Sequence, residues 1–273
     1  MRKIFKIFIF IVVVFGLSGC LAPTPQDFEQ KEFSVLNLNS NKELNFDEFM
    51  DEISKFDIIL LGESHKDNAS RFLESKISTD LAKNYSVTAV LEMFDDSKNE
   101  ILQTAKSSKE NIKSSDLRKA INWDKRWKWR DYEYMVQKLF YSDIVLTSGN
   151  LTDDEKRTIM AGAQDLKGEF SIKQEVKEKI KKEISKAHEI DKETLEKFVQ
   201  AQQYKDRRMA DKLVHAKTQK AILIAGAYHT NKEVGVPLHI KDFKTPKSVA
   251  VVYLYDEAMT SLKNSDYIIK EKR

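Results

Sequence analysis

Two histidines, two glutamates and an asparagine each follow closely on an apolar run of this chain. The runs end in Gly62-Glu63-Ser64-His65, Glu92-Met93-Phe94, Ser148-Gly149-Asn150 and Gly226-Ala227-Tyr228-His229. An imidazole beside a carboxylate is the raw material of general acid–base catalysis, because histidine exchanges protons near neutral pH. The same Glu63, His65, Glu92 and His229 offer nitrogen and oxygen ligands to a divalent metal. Spacing does not choose between the two chemistries. There is no His-Glu-x-x-His helix, no cysteine pair and no Gly-x-Ser-x-Gly elbow, which argues against zinc-protease and serine-hydrolase motifs. Gly226-Ala-Tyr-His also lacks the glycine pattern of a phosphate loop.

The apolar runs are the elements that must position these residues. Phe56 to Leu61, Val87 to Leu91, Ile144 to Thr147, Ala221 to Ala225 and Val249 to Leu254 are short, apolar and bounded by polar residues or glycine. Fully buried parallel strands have this pattern. Helical patterns separate them at Ala69 to Lys83, Tyr132 to Tyr141, Thr152 to Met160, and from Ile172 to Lys217. Alternation of this kind predicts an α/β fold with a mostly parallel central sheet flanked by helices. Ligands of such sheets bind outside the carboxyl ends of the strands. A helical insertion over about 152–217 separates the third and fourth of these strands. Thr152 and Glu155 have capping-box spacing, and the charged stretch Lys173 to Lys186 predicts a solvated amphipathic helix.

The helix that ends near Val214 carries an anomaly. Leu195, Val199, Met209 and Leu213 mark a core-facing stripe, and Gln202 and Asp206 lie on it. Buried polar groups need partners, so these two are expected in a hydrogen-bond network or pointing into a pocket. Tyr204, Arg207 and Arg208 fall off the stripe, toward solvent or a partner. A tyrosine close to an arginine can be stabilised as a phenolate, a good ligand for ferric iron. All three tryptophans fall in Trp123-Asp-Lys-Arg-Trp127-Lys-Trp129-Arg-Asp-Tyr132-Glu-Tyr134. Interleaved rings and cations form cation–π pairs, which either seat a helix on the sheet or wall a flat aromatic ligand.

The amino terminus carries an address. A basic start (Met1-Arg2-Lys3) precedes an apolar run from Ile7 to Leu17 that is too short to span a bilayer comfortably. Leu17-Ser18-Gly19-Cys20, holding the only cysteine, resembles the lipobox of bacterial lipoproteins. The resemblance implies cleavage before Cys20, lipids on that residue and a membrane tether. Leu21 is not the aspartate that retains lipoproteins in the inner membrane of enteric bacteria, so the expected address is the outer membrane of a Gram-negative envelope. The whole chain has 46 basic and 43 acidic residues; without Arg2, Lys3 and Lys6 of the leader, 43 face 43. That neutrality gives no support to nucleic-acid binding. The expected organisation is a signal peptide over 1–19, the lipidated cysteine with a tether and N-terminal segment over 20–50, and an α/β domain over 51–273.

The order of motifs resembles the ChaN-like cofacial-haem-binding lipoproteins, which are related in fold to erythromycin esterases. The resemblance rests on the lipobox, Leu61-Gly-Glu-Ser-His65, Glu92-Met93-Phe94, the Trp-rich stretch, Gln202-x-x-x-Asp206-x-x-Met209-Ala210, Ala225-Gly-Ala-Tyr-His229 and Gly235-Val236-Pro237. It implies haem bound between two monomers, with the two macrocycles face to face and each iron held by a tyrosine, a ligand suited to ferric haem. Tyr204 is the first candidate for the iron, beside Arg207 and Arg208; Tyr134 and Tyr228 follow. His65, Lys66, His229 and Lys232 are the candidates for the propionates. Many relatives carry an arginine soon after the motif containing His229, where this chain has Thr230-Asn231-Lys232. The fold relationship also implies an alternative: an esterase-type hydrolase, metal-assisted or not, with His65 as base beside Glu63, Glu92 and His229.

Overall fold

The computed structural model describes residues 24–65, 67–187, 191–254 and 264–272. Eight strands form one sheet: β1 (Phe33–Asn37), β2 (Lys42–Asn45), β3 (Ile58–Glu63), β4 (Val87–Asp95), β5 (Val145–Asn150), β6 (Lys220–Gly226), β7 (Val249–Leu254) and β8 (Tyr267–Glu271). Their order is β2-β1-β8-β7-β3-β6-β4-β5. β8, β7, β3, β6, β4 and β5 run parallel, while β1 is antiparallel to both β2 and β8. The protein is thus an α/β fold with a mostly parallel sheet.

Every residue of β3, β4 and β6 is buried, because helices cover both faces of the sheet, as parallel sheets require. Ile59 and Leu61 point into a core shared with Phe72, Leu73 and Ile77 of the helix Asn68–Ala82 and with Met135 and Leu139 of the helix Trp129–Tyr141. Ile58 and Leu60 point the other way, onto Met209, Ala210 and Leu213 of the helix Lys192–Val214. Burial of each of these side chains contributes about 1.5–3 kcal/mol.

The strands β3 to β7 fall on the five apolar runs, shifted or extended by a few residues. The helical stretch from Ile172 divides into Gln174–Ala187 and Lys192–Val214, the second opened by Asp191, whose carboxylate accepts from the Thr194 amide at 2.9 Å. The capping box at Thr152 forms, with the Glu155 amide donating to Thr152 Oγ1 at 3.2 Å and the Thr152 amide donating to Glu155 Oε2 at 2.8 Å. Residues 33–50, part of the tether and N-terminal segment in the sequence reading, contribute β1, β2 and the start of the helix Phe46–Ile53 to the same body. Those two strands and β8 carry exposed or half-exposed polar positions, such as Lys42, Glu43 and Lys270, and so lack the apolar signature of the interior strands.

Candidate functional site

The carboxyl ends of β3, β4 and β6 are neighbours, and they assemble a buried polar network. Glu63 closes β3, and its carboxylate turns back on the next residues: Oε2 accepts from the His65 amide at 2.9 Å and Oε1 lies 2.8 Å from His65 Nδ1. These bonds hold His65 at φ 63°, in the left-handed region that non-glycine residues rarely adopt. The Tyr132 hydroxyl, from the helix Trp129–Tyr141, lies 3.1 Å from the same Nδ1.

Behind Glu63 sits Arg71, only 1% exposed. Its guanidinium is ion-paired with Glu63 and forks onto both Glu74 oxygens at 2.9 and 3.0 Å. The same group lies 4.0 Å from the centroid of the Tyr132 ring. Burial alone would raise the Glu63 carboxyl, but its hydrogen bond to His65 and the Arg71 charge hold it below the usual range. Glu63 is therefore a buried carboxylate. Burial lowers the His65 imidazole, yet the Glu63 carboxylate outweighs it and the net direction is upward.

The second half of the network belongs to His229, in the short helix Ala227–Thr230 that follows β6. Its Nδ1 lies 2.5 Å from Asp206 Oδ1 and its Nε2 3.3 Å from Glu92 Oε1. The Gln202 amide reaches Nδ1 at 2.9 Å. Burial opposes the imidazolium, but Glu92 and Asp206 push the His229 pKa up to about 10. Glu92 is likewise disfavoured as an anion by burial, and His229, with the Gly226 amide donating at 2.8 Å, holds it at about 2. Gln202 and Asp206, anomalous on their stripe, therefore do serve a network. The two halves meet where His65 Nε2 approaches Glu92 Oε2 at 3.8 Å. Gly226 makes this approach possible, since a Cβ there would lie 2.5 Å from His65 Nε2.

A cleft of about 330 Å³, lined by Glu92, Met93, Arg126, Trp127, Asn150 and Lys205, reaches Glu92 and Trp127, the two side chains beside His65. The Trp127 ring covers His65 at a centroid distance of 5.2 Å. The third tryptophan-rich position, Trp123, is buried against Phe94 and Trp129. Glu63, His65, Glu92 and His229 thus come together as expected of neighbouring strand ends. Both His229 nitrogens face carboxylates and Glu63 is paired with Arg71. Among the described residues no set of three or more His, Cys, Asp or Glu is arranged to hold a metal ion.

The other candidate residues are spread over the surface. The Tyr204 hydroxyl donates to the Gln164 carbonyl at 2.6 Å, and its ring packs beside Leu151, Ile159 and Ala201. Tyr134 donates to Glu29 at 3.2 Å; burial and that carboxylate push its pKa up to about 12. Tyr228 approaches the Lys179 carbonyl at 3.4 Å, and burial, then Glu183, raises its phenol. Arg207 and Arg208, expected toward solvent or a partner, are instead bonded within the chain. Arg207 pairs with Asp242 at 2.7 Å, and Arg208 pairs with Asp96 and Glu155. The acids that hold them lie on other elements, which the helix pattern does not display. Lys232 is held by Asp266 at 2.6 Å. Lys66 and Cys20 lie outside the described residues.

Arg71 and Glu74 are members of the network that the motifs do not single out, and Tyr132 joins it from the Trp-rich stretch. One signal was present: Glu74, Ile77 and Leu81 follow helical three- and four-residue steps, so Glu74 lies on a buried stripe just as Asp206 does.

Fold and site together define an α/β ligand-binding domain with its polar centre at the carboxyl edge of the sheet. The model of the family of haem-binding uptake proteins (Tiki superfamily, ChaN) matches residues 49–240, and the chain belongs to that family. It is similar to a solved structure titled "Cofacial heme binding to ChaN of Campylobacter jejuni", with 39% identity and a TM-score of 0.84 over 89% of this chain and 98% of that one. Two further solved structures share little more than a general outline. The type III effector HopBA1 is 12% identical with a TM-score of 0.47, over 82% of this chain and 92% of that one. RRSP, a MARTX toxin effector domain from Vibrio vulnificus CMCP6, is 11% identical with a TM-score of 0.45, over 86% and 39%. A search of curated proteins found no match.

Proposed function

We propose that this protein is a lipid-anchored haem binder of haem uptake, holding ferric haem through a tyrosine at the interface of two copies, with the two macrocycles face to face. The observation that carries the reading is the 39% identity, over nearly the whole chain, to a protein solved with cofacial haem. Haem needs an apolar surface, a ligand for iron and cations near its propionates. Tyr204 fits part of that need: its half-buried ring is seated on the packed side chains of Leu151, Ile159 and Ala201, and its phenol is bonded to a main-chain carbonyl rather than to a carboxylate. Lys156 and Lys205, which line the adjoining cleft, offer cations. Tyr134 and Tyr228 are poorer candidates, because nearby carboxylates and burial disfavour their phenolates. His65 remains a propionate candidate, as the half-exposed histidine of the network. The haem iron supplies the Lewis acid that a tyrosinate satisfies; the chain supplies the surface, the phenol and the cations.

The anchor is a lipidated Cys20 in the outer membrane, and the leader from Met1 to Gly19 is its address. Hemin titration of the whole chain, followed by the Soret band and by mass, tests the haem reading. A tyrosinate-type spectrum with a shift to dimer is expected, and no band and no dimer at micromolar hemin would overturn it.

A second reading is favoured by one observation, the half-exposed His65 held by buried Glu63 beside a cleft. That pair is equipped to act as a general base in ester hydrolysis. Hydrolysis of ester substrates that disappears in His65→Ala would support it, and its absence from the wild type would dismiss it.

A further inference from the structure

A second, wider groove of about 1010 Å³ lies between the first described residues and the helix Trp129–Tyr141. Arg118, Lys125, Lys128 and Arg130 line it, and all four are exposed. None of them makes an ion pair among the described residues, whereas Arg126, Arg157, Arg207 and Arg208 all do. Only Asp131 and Glu133 oppose them along the groove. Trp127 and Trp129, both half-buried, line the same groove. In a chain whose charges balance once its leader is removed, four unpaired cations beside two tryptophans are a local concentration.

We propose that this groove docks on anionic phospholipid headgroups of the membrane that holds the anchor. The inference rests on the lipidated Cys20 proposed above. Thr24, Pro25 and Gln26 form one rim of the groove. Residues Pro25–Gln30 make a short helix whose Phe28 is buried beside Phe33 at a ring distance of 6.5 Å, so the rim is fixed to the body. Cys20 precedes Thr24 by four residues, which span no more than about 14 Å even when fully extended. A lipid on Cys20 therefore brings the bilayer surface within that reach of the groove.

The chemistry of the groove suits what it meets there. Basic side chains near an anionic leaflet each shift a docking equilibrium about fivefold, the ratio that corresponds to about 1 kcal/mol. Tryptophan rings settle at headgroup depth, where an apolar body and a polar N–H are both satisfied. Net attraction requires cations not already neutralised within the protein, and these four meet that condition.

The test uses the full chain, purified from membranes and reconstituted in vesicles of phosphatidylcholine alone or mixed with phosphatidylglycerol, with brominated acyl chains as quencher. Tryptophan quenching is expected in the mixed vesicles, weaker in phosphatidylcholine alone, and lost in high salt because the contact is electrostatic. It is expected to fall in the variant Arg118→Gln, Lys125→Gln, Lys128→Gln, Arg130→Gln, with circular dichroism confirming that the variant is folded. Acyl labelling of Cys20, compared with Cys20→Ser, is read on the same samples. Labelled protein with equal quenching in both vesicle types, or in wild type and variant, overturns the docking surface while the anchor stands. Absence of label overturns both. Protection of the groove in whole envelopes but not in vesicles would assign it to a protein partner and overturn the lipid assignment.

Discussion

The imidazole of His229 lies 2.5 Å from the carboxylate of Asp206, with both side chains sealed from solvent. The bond joins the turn after β6 to the long helix Lys192–Val214, and Glu92 on the far side of the ring extends it to β4. One cation thus ties three elements together at the point where they leave the sheet. Buried ions are costly unless paired, and His229 is paired twice.

That arrangement sets a pH window. The His229 pKa is raised from 6.5 to about 10, so its contribution is complete below pH 6.5 and declines as pH rises through 10. Glu92 is depressed from 4.5 to about 2, so its contribution is complete above pH 4.5 and declines as pH falls through 2. The network is therefore most stabilising between those ordinary values. Replacing His229 with Gln should cost about 3–5 kcal/mol there, because a buried carboxylate loses its partner. Urea unfolding across pH should show the gap between wild type and variant narrowing on the alkaline side. A gap that widens above pH 8 would contradict the assignment.

The pairing of Arg71 with Glu63 and Glu74 predicts a similar loss. Arg71→Leu leaves two buried carboxyls facing each other and should cost about 3–5 kcal/mol. Adding Glu74→Gln should recover part of it, since burial pushes the Glu74 carboxyl up and an amide there can donate to Glu63 without adding a second acid. The coupling is read from a double-mutant cycle in urea, and strict additivity would show that the two side chains act independently.

Two glycines should respond differently to alanine. At Gly62 a Cβ would meet Thr230 Oγ1 at 2.2 Å and the Tyr253 ring at 2.8 Å, both buried. Overpacking there should cost about 1–3 kcal/mol. At Gly226 the obstacle is the tip of His65, whose half-exposed ring can swing away. Gly226→Ala should cost less than about 1 kcal/mol, below the overpacking range, while moving the His65 ring resonances in an NMR titration. Unshifted His65 resonances would refute the contact.

For haem, the single substitutions Tyr204→Phe, Tyr134→Phe and Tyr228→Phe separate the candidates. Loss of the tyrosinate-type spectrum is expected in Tyr204→Phe alone, with the Soret band of the other two resembling wild type. Loss in Tyr134→Phe or Tyr228→Phe instead would relocate the haem to another face.

The interior of the molecule was legible in the sequence because a strand buried on both faces is apolar at every position, as in Ile58–Leu61 and Ile222–Ala225. Polar residues at their ends mark the edge where the network assembles, and Asp206 betrays itself as a charge on a core-facing stripe. Less could be read at the margins. β1 and β2 are half exposed, so buried Phe33 and Val35 alternate with half-exposed Ser34 and Leu36 and no continuous apolar run marks the strand. The partners of Arg207 and Arg208 lie in elements remote in sequence, at Asp242 and at Asp96 and Glu155. Charge neutralisation of that kind is a property of the tertiary structure, invisible to helix periodicity.

The strand order also governs how the chain reaches this state. β3 forms early in the sequence, yet both of its neighbours, β6 and β7, come after residue 219. Its pairings, Ile58 with Ala221 and with Val249, are among the most distant in the chain. High contact order slows folding, since loop-closure entropy is lost before such contacts form. Glu63 and His65 can meet His229 only once almost the entire polypeptide is available. Were the chain exported unfolded, as its proposed leader implies, no stable sheet centre would exist to obstruct passage until the last strands had followed.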